Sequence, residues 1–335
     1  MRKILSVVAA IILLIGAVST AEASGHPDID TAVSGAVSYI IRTVRSPEVG
    51  AVGGEWAVIG LARSGHNVPD SFFRGYQRAV ERRLREQGGV LDNRRHTEYS
   101  RVILAMTALG LDPQDAAGFD LTKPLGDFER TVWQGVNGAI FALLALDSLD
   151  YPIPENDNAE TSATREMYIA EILRRQTPDG GWNATAGANG GAVGRNERGD
   201  IDLTAMALQA LAKYQDDRAV RAAVNRALLF LSRSQDETGG FSSGLSRGEL
   251  TLESAAQVLI AISELDISFN DPRFVKNGNS IVDNILSYRN TDGGFGHTRG
   301  GVSDLMSTEQ ALIGLVAAQR AASGQTSLFR MYDAH

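Results

Sequence analysis

The sequence predicts an all-α protein in which six outer helices alternate with six inner helices and close into a ring. Three observations carry this. First, six short stretches rich in alanine, leucine, isoleucine and valine are each entered through a polar residue, as in Asp202-Leu203-Thr204-Ala205-Met206-Ala207-Leu208. Helices that thin, and apolar on most sides, are surrounded by other helices. Second, between them lie amphipathic segments with one apolar stripe and a charged face, the pattern of helices that cover a core. Third, Gln176-Thr177-Pro178-Asp179-Gly180-Gly181-Trp182 recurs as Gln235 to Phe241 and as Arg289 to Phe295, at intervals of about 55 residues. Self-similarity at such a period marks a repeat architecture. No stretch shows the alternation of a strand.

In chain order, Asp28–Val44 is the first outer helix and Gly54–Ala62 the first inner one. Asp70–Glu86 follows as an outer helix with Phe72, Phe73, Tyr76, Val80 and Leu84 on one stripe, and Gly88-Gly89 ends it. Thr97–Gly110 is inner, and Pro124–Trp133 pairs with Gly138–Ser148. Thr161–Arg175 leads into Asp202–Tyr214, Asp217–Arg233 into Leu250–Leu265, and Gly278–Tyr288 into Ser303–Ala321. Such pairs can stack as a solenoid or close on themselves. Thin inner helices favour closure, because only narrow helices fit around a small centre. In a closed ring the inner helices run the same way, so their polar entries meet at one mouth. These are Glu55, Glu98, Asn137, Asp200, Asp202, Glu253, Asp304, Glu309 and Gln310. Concave places with a few convergent polar groups hold ligands.

Residues 1–23 have the form of a secretory signal, with Arg2 and Lys3 before an apolar run and Ala21-Glu22-Ala23 as a small-x-small cleavage site. This divides the chain into a signal peptide, 1–23, and a ring domain, 24–335, and predicts a secreted or cell-surface protein. With no cysteine in the chain, a disulfide framework and a thiolate zinc site are excluded. The formal net charge of −8 argues against nucleic acid and anionic membrane surfaces as partners. The five histidines are scattered with no pair at metal-ligand spacing, so no metal site is expected.

Two carboxylates, Asp200 and Asp202, open the most informative inner helix. They suit the positive end of a helix dipole and can accept hydrogen bonds from its free N–H groups. The Gly-Gly-aromatic segments resemble the QW motifs of squalene and other triterpene cyclases. Asp200-Ile201-Asp202-Leu203-Thr204-Ala205 is similar to the Asp-x-Asp-Asp-Thr-Ala acid motif of those enzymes, with Leu203 where they carry a further Asp. Protein prenyltransferase β subunits share the α6/α6 toroid that this implies, although their zinc site needs a cysteine. Thr131-Val132-Trp133-Gln134, Asp202 to Ala207 and Ala256 to Leu259 resemble the cobalamin-binding α domain of transcobalamin and intrinsic factor. Overall the chain resembles secreted Gram-positive toroids described as prenyltransferase-like or squalene-cyclase-like.

The resemblance implies three functions. The first is a secreted binding protein for a corrinoid-like (cobalamin-type) or isoprenoid-like small molecule. Gln134, Asp202, Thr204, Gln257 and Gln310 would bond its polar periphery, Trp56, Trp133 and Phe141 would pack on its apolar parts, and Glu98, Asn137, Glu253, Asp304 and Glu309 would complete the mouth. The second is a class II terpenoid cyclase with Asp202 as general acid and Asp200 relaying a proton. The third is an extracellular interaction module, with the Gly/Asn-rich insertion Asn183–Arg198 as a lid or partner loop. A second protein covering the mouth fits any of them.

Overall fold

The computed structural model describes residues 27–242 and 248–334; the signal-like segment 1–23 lies outside them. Twelve α-helices are present among the described residues: α1 (Pro27–Thr43), α2 (Glu55–Arg63), α3 (Asp70–Glu86), α4 (His96–Ala108), α5 (Phe128–Val132), α6 (Val136–Asp147), α7 (Arg165–Arg174), α8 (Ile201–Leu211), α9 (Arg218–Ser234), α10 (Leu252–Glu264), α11 (Ile281–Leu286) and α12 (Leu305–Ala322). Pairing between extended segments is limited to isolated bridges. The even-numbered helices form the inner ring in the order α2, α4, α6, α8, α10, α12, and α12 packs back on α2. The odd-numbered helices lie outside, and α1 meets both α11 and α12 at the seam. The ring alternative to a solenoid is therefore the one realised, and α2 faces α8, α4 faces α10 and α6 faces α12.

The Gly-Gly-aromatic segments build this closure. In each, the first glycine has positive φ and lies against the backbone of the next outer helix. A Cβ on Gly180 would meet the Arg226 carbonyl oxygen of α9 at 2.7 Å, one on Gly239 would meet Ser280 O ahead of α11 at 2.4 Å, and one on Gly293 would meet Gly35 O of α1 at 2.8 Å. Only glycine permits that approach. The third contact joins the last outer helix to the first. The aromatic then staples the inner helix that follows it. Asp200 N donates to Trp182 O at 2.7 Å, Thr251 N to Phe241 O at 3.1 Å and Asp304 N to Phe295 O at 3.0 Å. Those three acceptor–donor pairs end on the N-caps of α8, α10 and α12, whose side chains accept from Leu203 N, Ser254 N and Ser307 N.

Trp182, Phe241 and Phe295 are fully buried, and Trp182 Nε1 donates to Ile172 O at 2.7 Å. Trp182→Ala is expected to cost about 3–5 kcal/mol in urea unfolding, since it opens a cavity in the core. A loss below about 1 kcal/mol would show that the segment does not staple α8.

The opposite end of the ring is sealed. The chain after α12 turns back across it and buries Leu328, Phe329 and Met331. Ser327 Oγ and Phe329 N donate to the buried carboxylate of Glu264 at 2.6 and 3.0 Å, and Met331 N donates to Ser148 O at 2.7 Å. Arg63 Nη1 reaches Asp333 at 2.6 Å, with the Arg320 guanidinium on the same carboxylate.

Candidate functional site: the ring mouth

Apart from their last turns, solvent reaches the inner helices in their first two turns. From Val102 in α4, Gly138 in α6, Ala207 in α8, Val258 in α10 and Ala311 in α12, the residues down to the last turn are buried. The layer above carries half-buried side chains, among them Trp56, Glu98, Arg101, Asn137, Asp202, Leu203, Met206, Glu253, Gln257 and Gln310. The ring is thus a cup, open where the inner helices begin and floored by the C-terminal segment. At the level of the floor a void of about 20 Å³ remains, lined in part by Leu144, Gln209, Ala210, Glu264 and Phe329.

Aromatic rings fill one side of the cup. Trp56 lies 6.1 Å from Phe141 of α6 and 6.5 Å from Phe329 of the returning tail, centroid to centroid. Amides line the other side: Gln209 Nε2 donates to Gln257 Oε1 at 3.0 Å and Gln257 Nε2 to Gln310 Oε1 at 2.9 Å. Asp202 is the second residue of α8 and Trp56 the second of α2, so the two stand at one level on opposite sides of the mouth. Asp200 performs the capping, accepting from Leu203 N at 3.0 Å. Asp202 shares a helical face with Met206 and Gln209, spaced four and seven residues on, and that face looks toward α10 through the glutamine contact.

Comparison with known proteins agrees with this architecture. The family model of the prenyltransferase alpha-alpha toroid domain matches residues 127–327. The chain belongs to that family. Drimenyl diphosphate synthase of Streptomyces showdoensis is 28% identical over 179 residues, which are 50% of this chain and 33% of that protein. The chain therefore matches about a third of that relative's length. The type II terpene cyclase MstE from Scytonema, in complex with geranylgeranyl dihydroxybenzoate, superposes with TM-score 0.55 at 12% identity over 88% of this chain and 99% of its own. Protein geranylgeranyltransferase-I of Candida albicans, complexed with GGPP, gives 0.56 at 10% identity, 84% and 90% covered. Unsaturated glucuronyl hydrolase from Bacillus sp. GL1 gives 0.59 at 14% identity, 91% and 100% covered. At such identities the three structures share the fold alone.

Of the residues expected at the toroid's mouth, Trp56, Asn137, Asp202, Gln257 and Gln310 lie in the half-buried layer, and Phe141 is buried behind Trp56. Several others serve the scaffold. Thr204 is fully buried, and its Oγ1 accepts from Trp182 N at 2.9 Å. Asp304 caps α12. Gln134 Oε1 accepts from Thr97 N at 3.1 Å at the start of α4. Trp133 lies outside the ring, 56% exposed, under the Arg94 guanidinium at 4.2 Å. Glu98 pairs with Arg101 and Arg95 beside a hollow of about 330 Å³ that Arg83 also lines. Glu253 ties the rim together, bonding His297 at 2.9 Å and Ser307 Oγ at 2.6 Å. The insertion Asn183–Arg198 is anchored at its base, where Asn183 Nδ2 donates to Glu197 and to Arg198 O. Among the described residues no His, Cys, Asp or Glu cluster could hold a metal ion, and no helix is long and apolar enough to cross a membrane. Sequence reasoning missed Arg101, Met206, Gln209 and Phe329. Gln209 carried a signal, being an amide among alanines and leucines on an inner helix.

Glu309 is not at the mouth. It is buried in the α2–α12 seam, where its carboxylate accepts from Gly53 N at 2.8 Å. Burial, reinforced by Glu55, raises its pKa to about 7, against the opposing pull of Gly53 N–H and Arg101. Burial raises Glu55 as well. A carboxyl raised on folding adds stability at low pH and loses it as pH rises through the folded value. The toroid is therefore expected to be about 2 kcal/mol more stable at pH 5.5 than at pH 8 through Glu309 alone. Glu309→Gln should remove that difference in denaturant titrations at the two pH values; an unchanged difference would assign it elsewhere.

Proposed function

We propose that the cup binds an isoprenoid chain and that Asp202 donates the proton that starts its cyclisation. The observation that carries this reading is the division of work between the paired acids. Asp200 caps α8, whereas Asp202, the second residue of the helix, is half-buried at the mouth, level with Trp56 and one turn above Met206. The family match and the drimenyl diphosphate synthase relative support the same chemistry. In the proposed step the carboxyl proton of Asp202 adds to a terminal alkene carbon. An internal double bond attacks the resulting cation and a carbon–carbon bond forms. Loss of a proton from a neighbouring carbon restores an alkene, so that the reaction is an isomerisation without redox change. Trp56 would present its π face to the cation, an interaction worth about 0.5–2 kcal/mol.

The test incubates the protein with farnesyl and with geranylgeranyl diphosphate. Native mass spectrometry reads binding, and gas chromatography with mass spectrometry reads extracted products. Binding at unit stoichiometry with a cyclised product supports the whole reading. Binding without product reduces it to an isoprenoid-binding protein. Neither binding nor product overturns it, and a parallel cobalamin titration that saturates at one equivalent would assign the cup to a corrinoid instead.

A further inference from the structure

The two walls of the cup differ in chemistry more than a hydrocarbon ligand requires. α8, α10 and α12 are built from alanine, leucine, isoleucine and valine, yet each places a glutamine toward the ring centre. Burying an amide costs about 1–3 kcal/mol unless it is hydrogen-bonded, so leucine would serve a plain alkyl chain better. The three amides satisfy one another in one direction. Gln209 Nε2 donates both to the Gln257 backbone oxygen at 3.1 Å and to Gln257 Oε1 at 3.0 Å, and two acceptors on one partner fix which end of Gln209 is the nitrogen. With Gln257 Oε1 accepting, its Nε2 turns to Gln310 Oε1. The ladder therefore ends on Gln310 Nε2, a half-buried donor in the second turn of α12 for which no described residue is the acceptor. Across the ring, on the first turn of α6, Asn137 Oδ1 is shut off from solvent and accepts no hydrogen bond from a described residue. The ladder thus keeps one donor, Gln310 Nε2, that neither the protein nor an alkyl chain uses.

We infer that the cup selects isoprenoids carrying an oxygen function, such as a hydroxyl or carbonyl, on the part of the chain seated in the second helical turn, with Gln310 Nε2 donating to that oxygen. This rests on the reading of the cup as an isoprenoid site and names the kind of isoprenoid. Gln209 and Gln257 act as positioning residues, because they hold the Gln310 amide with its nitrogen turned inward.

Farnesol and β-farnesene offer a matched pair of C15 chains, one with a hydroxyl and one without. Titrations followed by tryptophan fluorescence are expected to show farnesol binding at least tenfold more tightly to the wild-type protein. In Gln310→Leu the preference should collapse to within about twofold, with β-farnesene affinity held or improved. Gln209→Leu should weaken the preference while leaving Gln310 in place, a result that a purely structural role for the ladder would not give. Equal wild-type affinities would overturn the inference and leave the isoprenoid reading standing. Failure of both ligands to bind would overturn both. Because the wild-type comparison decides, the test survives a Gln310→Leu variant that does not fold.

Discussion

Ending the chain after Gly324 is expected to abolish the cooperative unfolding transition of the ring, or to lower its midpoint by more than about 10 °C. The returning segment buries Leu328, Phe329 and Met331, and each such side chain is worth about 1.5–3 kcal/mol. Its removal also strands charges. Glu264 is 2% exposed and would lose both donors, Ser327 Oγ and Phe329 N. Arg63 is 4% exposed and would lose Asp333, Thr326 Oγ1 and Ser327 O. Breaking a buried pair by removing one partner costs about 3–5 kcal/mol. The sum reaches the whole stability of an ordinary domain, about 5–15 kcal/mol. Phe329→Ala separates the two contributions, since it keeps the charges paired and should cost about 3–5 kcal/mol. Scanning calorimetry of both variants checks this, and a truncated protein melting within a few degrees of the full chain would show that the segment is not the floor.

That floor could not be read in the sequence, and the reason is physical. The inner helices announce themselves because a helix enclosed on every side must be small and apolar along its whole length, a property of local composition. The Gly-Gly-aromatic segments are legible for a similar reason, since a positive φ beside a backbone contact admits only glycine. Ser327 to Asp333 has no such constraint. Its hydroxyls, aromatic and arginine suit a surface tail equally well, and only the position of Glu264 and Arg63 at the ends of two inner helices turns it into a plug. The same limit applies to the mouth. Convergence of helix entries was predictable from parallel inner helices, but which polar residue faces the cup depends on one turn of helical phase. Thr204 lies two residues beyond Asp202, about 200° round the helix, so it meets Trp182 instead of the cavity. Glu309 precedes Gln310 and turns into the seam for the same reason. Trp133 ends a short outer helix, α5, where a large aromatic is left at the rim.

Helical phase is also what separates the paired acids, and it makes their substitution the sharpest test of the proposed chemistry. Asp202→Asn is expected to cut formation of cyclised product by about 10²–10⁴-fold, the range that a positioned general acid contributes, while ligand affinity stays within a few-fold. Stability should fall less than in a variant that loses the cap, because Asp200 still accepts from Leu203 N. Asp200→Ala should show the converse, losing about 1 kcal/mol of stability with the cap and retaining most of the turnover. Asp200→Asn should restore that stability, since asparagine caps as well as aspartate. Product yields, titrations and denaturant midpoints for the three variants give a pattern that no capping role for Asp202 can reproduce. Turnover that survives in Asp202→Asn, or a stability loss there matching that of Asp200→Ala, would return Asp202 to the scaffold and leave the cup as a binding site.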